Sequence, residues 1–305
     1  MPPQRILIVA NKWWEADPLC GILTHAKARP SVFSNFNVLR YPVVRSIKTE
    51  LGTERPPDPK PEPRIVFNCY DALVEVWCLE ELVNPAESSS SSFEKVRVLP
   101  GAINYGAPPN LVIAFGTAGS RSDLHINGSV IIGRKVFIHD PLAKVNDRSD
   151  LWSPPNADEI IDSDIPPDLL NKLDEQQLFA AEARFLDCPV RPADAAVIIA
   201  SDALVALGVV NILKPTDYVW ADEEAVSMFL RDHSAGQIGS VDTTHGVIRC
   251  ASRAPFMYVS AIPNSAGLFD YEVRSKFYSQ TFVAAHNAAL ALAWLLPTFV
   301  MRLEG

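Results

Sequence analysis

Short apolar runs of strand length recur along the chain and alternate with longer amphipathic stretches. The first run, Arg5–Ala10, is apolar on both faces, a pattern typical of a strand in the centre of a parallel sheet. Further strands are predicted at 64–67, 111–115, 129–132, 209–213 and 256–262. Helices are predicted at 71–83, 169–186, 193–207, 223–233, 244–251 and 271–296. This alternation predicts an α/β protein, a three-layer α/β/α sandwich around a central mixed, largely parallel sheet.

Three segments interrupt the alternation without resembling a second domain. Residues 52–63 contain five prolines, and a run of serines occupies 88–92. The segment 151–167 contains two Pro-Pro pairs among several aspartates. We therefore predict one domain over residues 1–305, with loop insertions near 52–63, 85–95 and 151–167.

Charge and composition restrict the class of partner. The formal net charge is −9, and an acidic surface repels both nucleic acid and anionic lipid. The alanine-rich stretches 193–213 and 282–300 contain charged or polar residues, including Asp202 and His286, which favours core helices over membrane spans. Five cysteines without a CxxC pair indicate reduced thiols in a cytoplasmic protein, with no metal site and no cofactor.

Polar residues follow three of the predicted elements, where ligands of open α/β sheets bind. Gly-Thr-Ala-Gly-Ser at 116–120 brings backbone N–H groups close to a ligand or forms a tight turn. Asn264 follows the strand 256–262, where it recognises the edge of a heterocycle or starts an Asx-turn. Residues 240–246 precede a helix, which a threonine or aspartate would cap. His245, in that segment, has either a structural or a ligand-binding role.

The order and spacing of these segments resemble the purine nucleoside phosphorylase and nucleosidase superfamily. The resemblance rests on the G-x-A-G loop at 116–119 with the strand after it, on 241–249, and on the P-F strand of 255–267 with the closing helix. It covers most of the chain from about Arg5 onward, as spaced short motifs. The resemblance implies a nucleoside-phosphorylase-like fold, a small nucleoside or base as partner, phosphate in the phosphorylases, and a homo-oligomer.

The resemblance also implies roles for individual residues. Glu15 lies near the carboxylate with which hydrolytic members activate water, and Asn264 matches the asparagine of members that act on 6-oxopurines. The implied substrate-binding residues are Thr117, Ala118 and Gly119 along the base and sugar, Tyr218 or Trp220 as the aromatic that stacks on the base, and Thr243 and Thr244 at the ribose hydroxyls. His245, which follows Thr244, is predicted from its position to bind substrate as well.

Departures from the family pattern leave two functions open. The loop after the first strand, Ala-Asn-Lys-Trp-Trp at 10–14, lacks the glycines of a phosphate loop, and the Met-Glu pair is replaced by two threonines. We therefore favour an enzyme that cleaves the N-glycosidic bond of a purine nucleoside or a related compound, by hydrolysis rather than phosphorolysis. The alternative is a non-catalytic relative that binds a purine or nucleoside after losing the sugar and phosphate motifs.

Overall fold

A computed structural model describes residues 4–40, 62–82, 92–103, 106–120, 127–139, 160–162, 198–206, 238–242, 244–265 and 279–303. The strands are β1 Arg5–Ala10, β2 Phe33–Val38, β3 Ile65–Cys69, β4 Ala72–Cys78, β5 Leu111–Thr117, β6 Gly119–Ser120, β7 Val130–His139, β8 Ile160–Asp162, β9 Ile198–Ala206, β10 Ile238–Asp242 and β11 Phe256–Ala261. The helices are α1 Trp13–Thr24, α2 Ser92–Ile103, α3 Gly246–Cys250 and α4 Ser279–Leu303, with a 3₁₀ turn at Leu79–Glu81.

One mixed sheet joins the strands in the order β2-β3-β4-β1-β5-β11-β7-β9-β10-β6, and β8 pairs with β7. The central strands β4, β1, β5 and β11 are parallel to one another. Strand β6 follows β5 after only Ala118 and pairs with β10, so β5, β11, β7, β9, β10 and β6 form a closed ring. The ring brings the end of β5 beside the end of β10.

The two faces of the sheet bury separate apolar clusters. Ile6, Ile8 and Ala10 of β1 pack in the cluster that contains the buried faces of α1 and α4. The alternate residues Leu7 and Val9 pack in the other cluster, which contains residues of α2 and α3. This period-two burial confirms a sheet covered on both faces and the predicted three-layer architecture.

Two predicted helices are wrong in the part of the chain that the structure describes. Residues 71–83 contain strand β4 and the 3₁₀ turn, and the described part of 193–207 is strand β9. Both segments are short apolar runs, which periodicity cannot distinguish from a buried helix. Strand β4 pairs with β1 on one side and β3 on the other, so sheet pairing decides its conformation. The predictions for 169–186, 209–213 and 223–233 lie outside the described residues, as do most of the predicted loops 52–63, 85–95 and 151–167. Where these loops are described, 92–95 begins α2 and 160–162 is strand β8, so those parts are regular elements and not loop.

Helix α4 is long and apolar enough to cross a membrane, with a mean hydropathy of 1.5 over its best window. In the structure, 83% of that window is buried inside the protein, where buried alanines let α4 pack closely against α1 and the sheet. Asn287 of α4 donates a 2.8 Å hydrogen bond from Nδ2 to the carbonyl oxygen of Gly128. The high hydropathy of α4 is therefore explained by its position in the protein core.

The cysteines in the described ranges are buried, reduced thiols, as the sequence predicts for Cys20, Cys69, Cys78 and Cys250. Cys188 lies outside those ranges. Burial raises the pKa of Cys20 to about 12, against the opposing charge of Arg64, so its thiol is protonated at neutral pH. Within the described ranges, no group of three or more His, Cys, Asp and Glu side chains has the arrangement of a metal site.

Candidate functional site

Glu15 lies in the first turn of α1, directly after the carboxyl end of β1, and only 2% of its surface is exposed. Its Oε2 accepts hydrogen bonds from the backbone N–H groups of Asn11 at 3.1 Å and Lys12 at 3.0 Å. Its Oε1 accepts from the N–H and the hydroxyl of Thr117 at 2.9 and 3.0 Å. Four donors from the ends of β1 and β5 therefore hold the carboxylate in one orientation.

His245 connects Glu15 to the end of β10. Its Nε2 lies 3.4 Å from Glu15 Oε2 and 3.0 Å from the carbonyl oxygen of Phe115. Its Nδ1 forms an ion pair of 2.5 Å with Asp242 Oδ2. Burial alone would lower the pKa of His245, but the charges of Asp242 and Glu15 outweigh that effect and raise it to about 10. The imidazole is therefore positively charged at neutral pH.

Asp242 is held on both of its oxygens. Oδ1 accepts from the backbone N–H groups of Thr244 at 2.7 Å and His245 at 2.8 Å, and the hydroxyl of Tyr258 donates to Oδ2 at 3.2 Å. Burial would raise the pKa of Asp242, but the adjacent charge of His245 and these hydrogen bonds lower it. Asp242 is therefore an ionised and fixed partner for the imidazolium.

Gly116, the first glycine of the G-T-A-G loop, makes this packing possible. A Cβ atom at Gly116 would lie 2.3 Å from the His245 ring and 2.8 Å from Glu15 Oε1. Any side chain there would displace the imidazole or the carboxylate. The glycine is therefore required by the close approach of two functional groups to the backbone of β5.

A second charged cluster lies at the start of α1. Lys12 Nζ bonds Glu80 Oε1 at 3.1 Å, and Glu80 Oε2 accepts from the backbone N–H of Trp13 at 3.3 Å. Lys95 of α2 is fully buried, and its Nζ has no hydrogen-bond partner in the described parts of the chain. Burial and the charge of Lys12 lower the pKa of Lys95 to about 7, against the opposing charges of Glu80, Glu15 and Asp242.

The structure brings several of the predicted site residues together. Glu15, Thr117 and His245 belong to one contact network, and Thr244 joins it because Asn11 Nδ2 donates to its Oγ1 at 2.8 Å. Asn264 lies beside the same loop, since Ser120 N donates to its carbonyl oxygen at 2.8 Å.

Some of the remaining predicted site residues make contacts within the sheet or its loops, and others lie outside the described ranges. The N–H of Ala118 donates to the carbonyl oxygen of Ala261, and Gly119 pairs with Val241 in the sheet. The amide Nδ2 of Asn264 donates to the carbonyl oxygen of Ser265 at 2.7 Å. The predicted substrate-binding residues outside the described ranges are Thr243, Tyr218 and Trp220.

Sequence reasoning missed Asp242, Glu80, Lys95 and Tyr258. The only signal for Asp242 was its place three residues before His245, in the segment 240–246. Lys95 precedes the buried Leu99 and Ala102 by about one and two turns of α2, so the sequence spacing places it on the apolar face of the helix. Nothing in the sequence pairs Glu80 with Lys12.

Trp13 is part of the helix packing. Its ring lies 5.2 Å from that of Phe282 in α4 and 5.9 Å from that of Trp14. The side chain of Lys12 lies 5.5 Å from the centre of the Trp14 ring. The first tryptophan is therefore anchored in the contact between α1 and α4.

No protein-family model and no curated protein matches the sequence. Among solved structures, the chain is similar to the 5′-methylthioadenosine/S-adenosylhomocysteine nucleosidase of Neisseria meningitidis in complex with methylthio-immucillin-A. The identity is 13%, the TM-score 0.54, and the match covers 97% of this chain and 99% of that one. The Arabidopsis thaliana 5′-methylthioadenosine nucleosidase matches at 13% identity and a TM-score of 0.56, covering 98% and 97%.

The futalosine hydrolase of Helicobacter pylori matches at 14% identity and a TM-score of 0.50, covering 96% of this chain and 97% of that one. These matches span nearly the full length of both partners, so the likeness extends to the whole architecture. The resemblance seen in the sequence is thereby confirmed at the level of the fold. The chain has the fold of the nucleoside phosphorylase and nucleosidase superfamily.

Proposed function

We propose that the protein hydrolyses the N-glycosidic bond of a purine nucleoside or a related compound. The observation that carries this proposal is the buried Glu15 carboxylate, which four donors hold beside the end of β5 in a fold shared with nucleosidases. A fixed anion at this place suits a reaction that develops positive charge on a sugar.

Thr117 gives the buried carboxylate a route to the ligand. Its hydroxyl donates to Glu15 Oε1, so its oxygen lone pairs remain to accept a hydrogen bond from water. Thr117 is half-buried, whereas Glu15 is 2% exposed. In the proposed reaction, the water oxygen bonds to the anomeric carbon and the C–N bond breaks with its electron pair going to the base. The proton of water passes through Thr117 to Glu15, which later releases it, and the departing base takes a proton from solvent.

The start of α1 favours hydrolysis over phosphorolysis. A phosphate bound at a helix N-terminus needs free backbone N–H groups. Here the N–H groups of Asn11 and Lys12 already donate to Glu15 Oε2, and the charge of Lys12 is paired with Glu80. A phosphate would therefore have to displace an internal carboxylate.

Asn264 is proposed as the residue that recognises the base. It follows β11 and lies beside the loop that holds Thr117, as expected for a residue on the far side of a nucleoside from Glu15. Ala118, Gly119, Thr244, Thr243 and one of Tyr218 and Trp220 are proposed to line the rest of the site. We also propose that the chain forms one domain, assembles as a homo-oligomer and is located in the cytoplasm. Gel filtration of the full chain tests the oligomeric state.

One observation favours the alternative, a protein that binds a nucleoside without cleaving it. Each oxygen of Glu15 already accepts two hydrogen bonds from the protein, which leaves the carboxylate no free lone pair for direct contact with water. In that case the hydrogen bonds around Glu15 serve only to keep the ligand-binding surface rigid.

The deciding experiment incubates the purified chain with purine nucleosides and 5′-modified nucleosides, with and without phosphate, and follows free base by chromatography. We expect release of base without phosphate, and loss of at least about 100-fold in kcat for Glu15→Gln. The matched control is Glu75→Gln, which neutralises a buried carboxylate paired with Arg5 at the opposite end of β1. Base release that requires phosphate contradicts hydrolysis. No release from any nucleoside, together with a raised melting temperature, supports the binding protein.

A further inference from the structure

We propose that His245 is a positioning residue, an imidazolium fixed by Asp242 that holds Glu15 in one orientation and makes no contact with the ligand. This inference rests on the proposed function and differs from the substrate-binding role predicted for His245 from the sequence.

The groups around the His245 ring determine its protonation state. Nδ1 faces Asp242 Oδ2, and Nε2 faces the carbonyl oxygen of Phe115 and Glu15 Oε2. A neutral imidazole carries a proton on one nitrogen only and would present a lone pair to an oxygen atom at the other. Only the imidazolium carries a proton on both nitrogens. Nδ1 meets Asp242 Oδ2 as an ion pair outside hydrogen-bond geometry, and Nε2 meets two further oxygen atoms, so the contacts of the ring favour the charged form.

The contacts of the His245 ring within the protein keep it away from the ligand, because both of its nitrogens face protein oxygen atoms. His245 is 1% exposed, and its ring packs against Gly116 so closely that a Cβ there would lie 2.3 Å from it. Thr117, which is half-buried, presents the accessible side of the same network. His245 therefore acts on the reaction through Glu15.

The surrounding charges agree with a permanent cation. Asp242 of β10 and Glu15 of α1 are the acids in contact with the ring, and Tyr258 of β11 donates to Asp242. Lys95 of α2 is coupled to both carboxylates but has a lowered pKa, and Arg249 of α3 bonds the carbonyl oxygens of Ser252 and Ala254. The positive charge of Lys12 is paired with Glu80. His245 is therefore the cation whose charge acts on the Glu15 carboxylate.

The consequence is a pH dependence that a merely structural histidine would not produce. The pKa of His245 is raised to about 10 by Asp242 and Glu15 against the effect of burial, so the cation persists through neutral pH and disappears in alkaline solution. We expect kcat to fall as pH rises through about 10, with little change in KM.

The test uses two variants that remove the cation from Glu15 in different ways. His245→Gln keeps a polar side chain without charge and is the decisive variant. Gly116→Ala crowds the His245 ring, at 2.3 Å from the new Cβ, more than it crowds Glu15 Oε1, at 2.8 Å. Both should lower kcat by about 100-fold, change KM by less than about twofold, and abolish the alkaline limb near pH 10. Gly101→Ala is the matched control, because a Cβ at Gly101 of α2 meets nothing within 4 Å. A raised KM with unchanged kcat, or an unchanged pH profile in His245→Gln, overturns the proposal.

Nitrogen-15 NMR of the histidine rings separates this inference from the proposed function. In the wild-type chain, one imidazolium should persist to pH 9, and its signals should vanish in His245→Gln. If the protein cleaves no nucleoside, the proposed function fails while this readout still decides the charge state. A neutral ring at pH 8 overturns the positioning role, whether or not the protein is active.

Discussion

Lys95 offers the sharpest test of the electrostatics around the site. Its side chain is fully buried on α2, and its amine has no hydrogen-bond partner in the described ranges. Replacing it with methionine preserves an unbranched side chain of similar length and removes the polar group. Because a buried unpaired amine destabilises the folded state, Lys95→Met should stabilise the protein.

The magnitude follows from the pKa of the amine. Burial, with the charge of Lys12, lowers the pKa of Lys95 from 10.5 to about 7. A difference of about 3.5 pH units corresponds to a penalty on the order of 5 kcal/mol. The penalty is complete below pH 7, shrinks as pH rises from 7 to 10.5, and vanishes above 10.5, where the amine is neutral in both states. Lys95→Met should therefore gain several kcal/mol at pH 7 and almost nothing at pH 10.5.

Urea unfolding followed by circular dichroism measures the gain at both pH values. Lys27→Met, at an exposed position on the loop after α1, is the matched control and should change stability by less than about 0.5 kcal/mol. Equal gains at pH 7 and pH 10.5 would mean that packing rather than charge is responsible. A loss of stability at pH 7 would refute the reasoning, because it would show that the Lys95 amine has a partner worth more than its desolvation.

Three further predictions concern the same region. The raised pKa of His245 contributes stability that is complete below pH 6.5 and is lost as pH rises to about 10. In the wild-type chain, the lowered pKa of Lys95 opposes this loss, because its penalty shrinks over a similar range. Urea unfolding of Lys95→Met should therefore show stability falling more steeply between pH 6.5 and 10 than in the wild type. Gly133→Ala should cost about 1–3 kcal/mol in the same assay, because a Cβ there would lie 2.6 Å from the Cγ2 of Val136. Thr117→Val should lower kcat by about 100-fold without unfolding the chain, and Thr117→Ser should retain most of the activity; equal rates in all three proteins would exclude the hydroxyl from proton transfer.

The strands that the sequence predicted best are those buried on both faces. Arg5–Ala10 was predicted with its true limits, and β5 and β11 within about two residues, because an uninterrupted apolar run matches few other structures. Strand β2 was missed, since it is a polar edge strand with a register shift between Ser34 and Asn37. The sequence predicted helices in place of strands β4 and β9 because a short apolar run fits a buried helix as well as a strand.

For the site, the sequence predicted individual residues but not the contacts between them. The G-x-A-G loop identified Thr117, and the family resemblance pointed to Glu15. Their contact joins residues 102 positions apart, and the one between His245 and Phe115 joins residues 130 apart. Contacts of that kind depend on sheet order, which no local pattern contains. Lys95 was missed although its spacing to Leu99 and Ala102 places it on the apolar face of α2, because its full burial also depends on how α2 packs against α3 and the 3₁₀ turn.

The packing of α1 against α4 has a consequence for biosynthesis. The amide of Gln4 donates to the carbonyl oxygen of Leu303, a contact between residues 299 positions apart. A ribosome releases the apolar face of α1 long before α4 exists to cover it, so that surface stays open to chaperones and to aggregation for most of translation. Contacts over such separations also slow folding. Expression at low temperature, or with additional chaperone, should therefore raise the yield of soluble protein more than any substitution in the network around Glu15.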